Sequence, residues 1–428
     1  MKTLFRNASI LKMDDSPILF GDLVVNENRI VYIGSDSEKY GPFDRVIECN
    51  GNIIMPGFKN AHTHNAMTFL RSKADEDNLH DWLFNQCFPR EALLKPGDIY
   101  ALSKVALLEQ ISGGITSCLD MYFYVLEHKK AMEEMGFRGV VQGCVNEAYK
   151  TNDLVKLYNE INTDDALVRF SIGHHSEYTT SLDEMLATKK ALDETKSPLQ
   201  IHLSETKSEV EECIKKRGMT PCEYFDSLGL WDNGGVCFHC VYLSEHDIEI
   251  FKKKNIAVVT CPGSNLKLAS GIAPIKRYLD EGLLIGIGTD GPASNNCLDM
   301  FKEMSLVSNL ARIQTGDSNA IKAYDILKMA TVNGAKILNL KDCDTLEVGK
   351  YADIIELDLS KPSMQPINNA VNNIVYSGSK DIVKLTMING KILYEDGKFF
   401  INEDIDSIYE KAQEITDRID KEFFEKNN

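Results

Sequence analysis

From about Pro56 onward, short apolar runs alternate eight times with longer segments of helical period, and few folds accept that pattern. The runs are NIIMPGFKNAHTH, GITSCLDMY, FRGVVQGCVN, VRFSIGHHS, PLQIHLSE, GVCFHCV, IAVVTCPGS and LLIGIGTDG. Amphipathic stretches such as PGDIYALSKVALLEQISG and LSEHDIEIFKKKN lie between them. Repeated strand–helix alternation specifies a parallel sheet with helical crossovers. Eight strands in roughly 235 residues suit a (β/α)8 TIM barrel, which takes about 250.

The two ends of the chain read differently. The first 50 residues are strands and turns without helical period, and ENR between LVV and IVYIG has the form of a hairpin turn. Strand-and-turn texture returns in YADIIELDLS, VNNIVYSG and VKLTMINGKILYEDGKFF. The two ends are expected to pair into one small β-sandwich outside the barrel. The expected divisions are 1–55 and 349–402 for the sandwich, 56–348 for the barrel, and 403–428 for a charged C-terminal helix of packing or interface character.

In a barrel of this kind the site lies at the carboxyl ends of the strands. The first run ends in His62 and His64, the fourth in His174 and His175, the fifth in His202 with Glu205 three residues on. The sixth ends in His239 and the eighth in Asp290. Six of the nine histidines thus fall at expected strand ends. His62 and His64 taken alone could be a solvated polar loop. On a strand, however, residues i and i+2 point the same way, so the pair aims two imidazoles at one point. His80, His128 and His246 fall in helical or loop contexts and read as surface or packing residues. Cys237 and Cys240 form a C-x-x-C, but on a strand Cys237 and His239 share one face and Cys240 takes the other, so a thiolate site is not expected. Asp290 precedes a glycine, as turn aspartates do, but its place after the last strand favours a ligand.

The formal charge of −17, from 64 acidic against 47 basic residues, argues against a nucleic-acid partner. No apolar block has the length of a signal peptide or of a membrane span. Eleven scattered cysteines without a framework spacing read as reduced thiols. The expected setting is the cytoplasm, with no membrane contact.

Three imidazoles and a carboxylate suit Zn²⁺ or a similar divalent ion, with one position left for water. Such a water becomes acidic enough to attack near neutral pH. Glu205, just beyond His202, is suited to move protons between that water and a substrate. His239 is suited to orient the attacking oxygen or polarise the attacked carbon. The constellation predicts hydrolytic attack on an sp² carbon. Many two-metal barrels place a carbamylated lysine after the fourth strand; FSIGHHSEY has none, so one ion per chain is expected, zinc first and iron as the alternative.

The stretches MPGFKNAHTHNAMTFLR, IHLSET, FHCVYLS, CPGSNLKLASGIAPI and GTDGPASNN occur together and in this order. With them the chain resembles the amidohydrolase superfamily over nearly its whole length. Within it, the chain looks like the methylthioadenosine/S-adenosylhomocysteine deaminases, close to the s-triazine chlorohydrolases. The resemblance implies metal ligation by His62, His64, His202 and Asp290. It implies Glu205 as proton shuttle to a ring nitrogen, His239 beside the attacking oxygen, and Asp290 as acceptor of a proton from water. CFPREA stands where the family has Trp-Pro-x-Glu, which implies Phe88 for the tryptophan and Glu91 as the ribose contact. The alternative for Glu91 is a helix-start acid after a proline. HHSEYT departs from the family's Pro-His-Ala-Pro-Tyr-Thr at several positions and implies His175 as a substrate contact. After Arg138, GVVQGCV lacks the second arginine expected for an amino-acid carboxylate.

The implied substrate is an adenine-type nucleoside: 5′-methylthioadenosine, S-adenosylhomocysteine, 5′-deoxyadenosine or adenosine. The implied product is the inosine-type nucleoside plus ammonia. Alternatives are the same fold and metal acting on guanine, a pterin or an s-triazine, or a non-catalytic metal-binding scaffold. Homo-oligomers are common in the family, but no interface is legible here.

Overall fold

The computed structural model describes residues 1–73, 75–76 and 79–427, with only the backbone of His80 and Asn427. Eight parallel strands form one sheet in chain order: Phe58–Thr63, Ile115–Met121, Arg138–Gly143, Val168–Gly173, Leu199–Leu203, Gly235–His239, Ile256–Thr260 and Ile285–Ile287. The eighth returns to the first, where the Asp290 N–H donates to the His62 carbonyl at 3.0 Å and the Thr289 N–H to Asn60 Oδ1 at 2.9 Å. Gly288 makes this closure possible. A Cβ there would lie 2.8 Å from His62 Cβ and 2.9 Å from the His62 backbone.

Strand alternation sorts the core. Leu199, Ile201 and Leu203 face the surrounding helices, as do Ile285 and Ile287. Val236, Phe238, Ala257 and Val259 join an inner cluster with Ala61 and Leu119. This inward set fills the barrel below the site.

Both chain ends build a second, nine-stranded mixed sheet. Lys2–Ile10 pairs with Leu19–Asn26 and lies parallel to Arg45–Glu48 and Ile53–Pro56. The C-terminal half joins through Ile354–Leu357, antiparallel to Ile53–Pro56. The hairpin at ENR is present, with Glu27 in the left-handed region at φ 55°. NIIMPGFKNAHTH is not one strand, contrary to the reading above. Ile53–Pro56 belongs to the second sheet and Phe58–Thr63 to the barrel. Gly57 lies between them, against Thr116, where a Cβ would fall 2.1 Å from Thr116 Cγ2.

A buried ion pair ties the sheet to the barrel. Arg138, opening the third barrel strand, donates from Nε to Asp353 Oδ2 at 2.6 Å and from Nη2 to Oδ1 at 3.2 Å. The Asn389 N–H adds a bond of 2.8 Å to Asp353 Oδ1. Asp353→Ala would strand a buried guanidinium, and a loss of about 3–5 kcal/mol is expected in urea denaturation. Replacing both partners with apolar residues should cost less.

The C-terminal helix, Ile405–Asn427, buries Ile415 and Ile419 against Trp82, Leu83 and Leu93. It thereby braces the segment that carries Glu91. No helix among the described residues is long and apolar enough to cross a membrane.

Candidate active site

The carboxyl ends of the barrel strands open on a cavity of about 300 Å³. At its floor, His62 and His64 come from the end of the first strand, His202 from the fifth, and Asp290 from three residues beyond the eighth. One ligand atom from each lies within 4.8 Å of all the others. His62 Nε2 and His64 Nε2 stand 3.4 and 3.2 Å from Asp290 Oδ1.

Each donor is aimed by its neighbours. The His202 Nδ1–H donates to the His175 carbonyl at 2.7 Å, and His64 Nδ1 meets the Met121 carbonyl. Both bonds leave Nε2 as the free lone pair. His62 stacks on Phe238 with centroids 3.9 Å apart and planes 15° apart. Neither of its ring nitrogens has a hydrogen-bond partner among the described residues. A buried orphan imidazole is costly unless a cation takes its lone pair. Asp290 Oδ2 accepts from Ser264 Oγ at 2.6 Å and Ser294 Oγ at 2.7 Å; Oδ1 takes the Gly291 N–H and faces the imidazoles. Burial pushes the His62 imidazole down to about 3 and His202 well below its usual value. Both shifts favour the neutral ring that ligation requires, whereas Asp290, against burial, raises His64. Burial alone would raise the Asp290 carboxyl, but His62 and His64 hold it well below the carboxylate range. The four side chains make up a buried group that could hold a metal ion.

Glu205 and His239 stand beside it. Glu205 Oε2 lies 3.8 Å from His239 Nε2, and Oε1 accepts from Ser270 Oγ at 3.0 Å. Burial pushes the Glu205 carboxyl up, against the pull of His239. A raised carboxyl suits a proton carrier. The His239 Nδ1–H donates to Asn265 Oδ1 at 2.8 Å, which leaves Nε2 facing the cavity. The backbone N–H groups of Ser204 and Glu205 donate to the buried Glu209 carboxylate at 2.9 and 2.7 Å, fixing the loop that carries Glu205.

Two site residues sit in the left-handed backbone region, His239 at φ 67° and Asp290 at φ 56°. Such conformations cost of order 1 kcal/mol each and persist where the surroundings impose them. Positive φ at His239 and at Cys240 (47°) also breaks the strand alternation. This corrects the expected faces: Cys237 and Cys240 both join the outer core, while His239 turns into the cavity. Burial in that apolar cluster pushes the Cys237 thiol well up, and no metal-type group forms around it among the described residues. None of the eleven cysteines is in a disulfide.

Glu91 and His175 line the same cavity. Glu91 ends the short helix Phe88–Glu91, and its Oε1 accepts from the Tyr122 hydroxyl at 2.5 Å. Burial raises its carboxyl, and the Tyr122 bond works the other way. His175 Nδ1 lies 3.1 Å from Thr179 Oγ1, and its ring is 4.7 Å from that of His202. His174 lines the cavity as well.

Several contributors were not singled out in the sequence. Ser264, Asn265 and Ser270 all lie in CPGSNLKLAS, after the seventh strand, whose end drew no ligand assignment. Ser294 and Tyr122 follow the eighth and second strands. Of the three histidines set aside, His128 is buried, with Nδ1 2.7 Å from Asp120 Oδ2. Asp120 Oδ1 in turn accepts the N–H of Asn65, beside His64. His246 is exposed next to Glu249. The side chain of His80 lies outside the described residues.

A family model described as "Amidohydrolase family" matches residues 53–393. The chain is 38% identical to a 5-methylthioadenosine/S-adenosylhomocysteine deaminase of Thermoanaerobacter pseudethanolicus, over 92% of this chain and 94% of that one. It is 36% identical to a 5′-deoxyadenosine deaminase of Methanosphaera stadtmanae, over 95% and 96%. Among solved structures it is similar to an adenosine deaminase from Xanthomonas campestris with bound zinc. There the TM-score is 0.92 and the identity 29%, over 98% of each chain.

Proposed function

The chain belongs to the amidohydrolase family, and we propose that it is a metal-dependent aminohydrolase acting on an adenine-type nucleoside. The class includes 5′-methylthioadenosine, S-adenosylhomocysteine, 5′-deoxyadenosine and adenosine; the products are the inosine-type nucleoside and ammonia. The observation that carries this reading is the Glu205–His239 pair, 3.8 Å apart beside three imidazoles and a carboxylate. The names of the relatives point to the same ring.

Zinc is the proposed ion: three nitrogens and one oxygen suit it, and the zinc-bound neighbour supports it. The chemistry such an ion supplies when bound is to make water acidic near neutral pH. In the proposed reaction, water adds to the ring carbon that bears the amino group. Glu205 carries one proton of that water to the adjacent ring nitrogen. His239 Nε2 holds the entering oxygen. Asp290 takes the second proton and returns it to the departing amine. The carbon–nitrogen bond breaks, ammonia leaves, and the oxygen remains as a carbonyl beside a protonated ring nitrogen.

Glu91 is proposed to accept hydroxyls of the sugar, held in place by Tyr122, and His175 to contact substrate beside His202. Glu91→Gln is then expected to raise KM about 10- to 100-fold, the worth of charged hydrogen bonds, with kcat changed only a few-fold. Initial rates on 5′-methylthioadenosine check this. The reaction itself is tested by ammonia release and loss of the adenine absorbance band across 5′-substituted adenosines. Inactivity of metal-loaded protein on all of them would refute the proposal.

A further inference from the structure

The cavity has two unequal halves. The metal-type donors, with Glu205 and His239, come from the first, fifth, sixth and eighth strands. The remaining wall comes from the segment between Met67 and Glu91 after the first strand, from segments that follow the second, third and fourth strands, and from Leu268 after the seventh. An adenine ring attacked beside Glu205 and His239 puts the far end of the nucleoside against this second wall.

That wall is largely apolar or aromatic, with Tyr124, Val125, Cys144, Val145, Tyr149 and Tyr178. Its charge is one-sided. Among the described residues no lysine or arginine lines the cavity, and away from the metal half the acidic side chains are Glu91 and Glu184. Glu184 Oε2 accepts from the Ser181 N–H at 2.9 Å and Ser181 Oγ at 2.7 Å, bonds that favour its ionised form. Neither Lys150, whose charge reaches Glu184, nor Arg138 lines the cavity. Lys150 Nζ donates to the Asn146 carbonyl at 2.8 Å, and Arg138 is held by Asp353 at the other end of its strand. A 5′ carboxylate or phosphate would lose water near two carboxylates with no lysine or arginine in the lining to pair with it, which is unfavourable. A methylthio or methyl group would instead gain from apolar contact.

We propose that this second half is a charge-selective subsite: it admits adenine nucleosides whose 5′ substituent is uncharged, cationic or zwitterionic and rejects those whose 5′ substituent is a net anion, a carboxylate or phosphate with no balancing ammonium. The inference rests on the deaminase reading above. The test is kcat/KM of the metal-loaded full chain on four probes: 5′-methylthioadenosine, 5′-amino-5′-deoxyadenosine, adenosine-5′-carboxylate and adenosine 5′-monophosphate. The first two are expected within about tenfold of each other and the two anions at least about 100-fold lower. Glu184→Gln is expected to shrink the ratio of methylthio to carboxylate substrate about tenfold. A carboxylate turned over within tenfold of the methylthio compound, or a ratio that Glu184→Gln leaves unchanged, overturns the subsite and leaves the deaminase reading standing. Turnover of none of the four overturns both.

Discussion

Glu205→Gln is expected to lower kcat on an adenine nucleoside by about 10²–10⁴-fold, the usual worth of a positioned proton carrier. The amide keeps the shape and can still accept from Ser270 Oγ, which lies 3.0 Å from Glu205 Oε1. It cannot take up and release a proton. Metal content should be unchanged, because Glu205 is outside the group of four donors. KM should move little, since the loss falls on the reaction step. Steady-state rates and metal analysis on one preparation check both points. Activity within tenfold of the parent would remove Glu205 from the mechanism. A scaffold that merely stores an ion predicts that the substitution changes nothing.

The second large effect concerns His202. His202→Ala should reduce bound metal from about one ion per chain to a small fraction and abolish turnover. The scale follows from a milder change. Losing only the hydrogen-bond partner of a ligand weakens metal binding about 10- to 100-fold, and Ser264→Ala, which strips one bond from Asp290, should fall in that range. Removing an imidazole outright should exceed it. Metal retained after gel filtration, and zinc titration of the stripped protein, separate the two variants from the parent. A His202→Ala protein that keeps a full equivalent of metal would show that the ion is held elsewhere. The convergence of His62 Nε2 and His64 Nε2 on Asp290 Oδ1, at 3.4 and 3.2 Å, within the same group of four as His202 is the physical ground for expecting otherwise.

The barrel was legible because its signals are periodic. GITSCLDMY, PLQIHLSE and GVCFHCV are short apolar runs between helical stretches, and all eight such runs supply a barrel strand. Gly57 hid the split in NIIMPGF, because both flanking strands are buried on both faces and no polar residue marks the boundary. The four metal-type donors were legible because each falls at or just past a strand end, where side chains converge by topology alone. The way those donors are held was not. Ser264 reaches Asp290 across 26 positions, and Tyr122 reaches Glu91 across 31. No local pattern encodes such pairs. The turn at His239 and Cys240 escaped for another reason. Non-glycine residues seldom take positive φ, so the run VCFHCV reads as uninterrupted strand. His128 reads as an ordinary packing or surface residue until Asp120, eight positions earlier on the second strand, is seen to bury beside it.

The central claim is hydrolytic removal of the adenine amino group, and it has a direct measurement. Metal-loaded protein is incubated with 5′-methylthioadenosine, and ammonia, the adenine absorbance band and bound metal are followed on the same sample. The account predicts one ammonia released for each adenine chromophore lost, with activity that falls on chelation and returns with zinc. It would be contradicted by metal-loaded protein that releases no ammonia from any adenine nucleoside yet turns over guanine or an s-triazine.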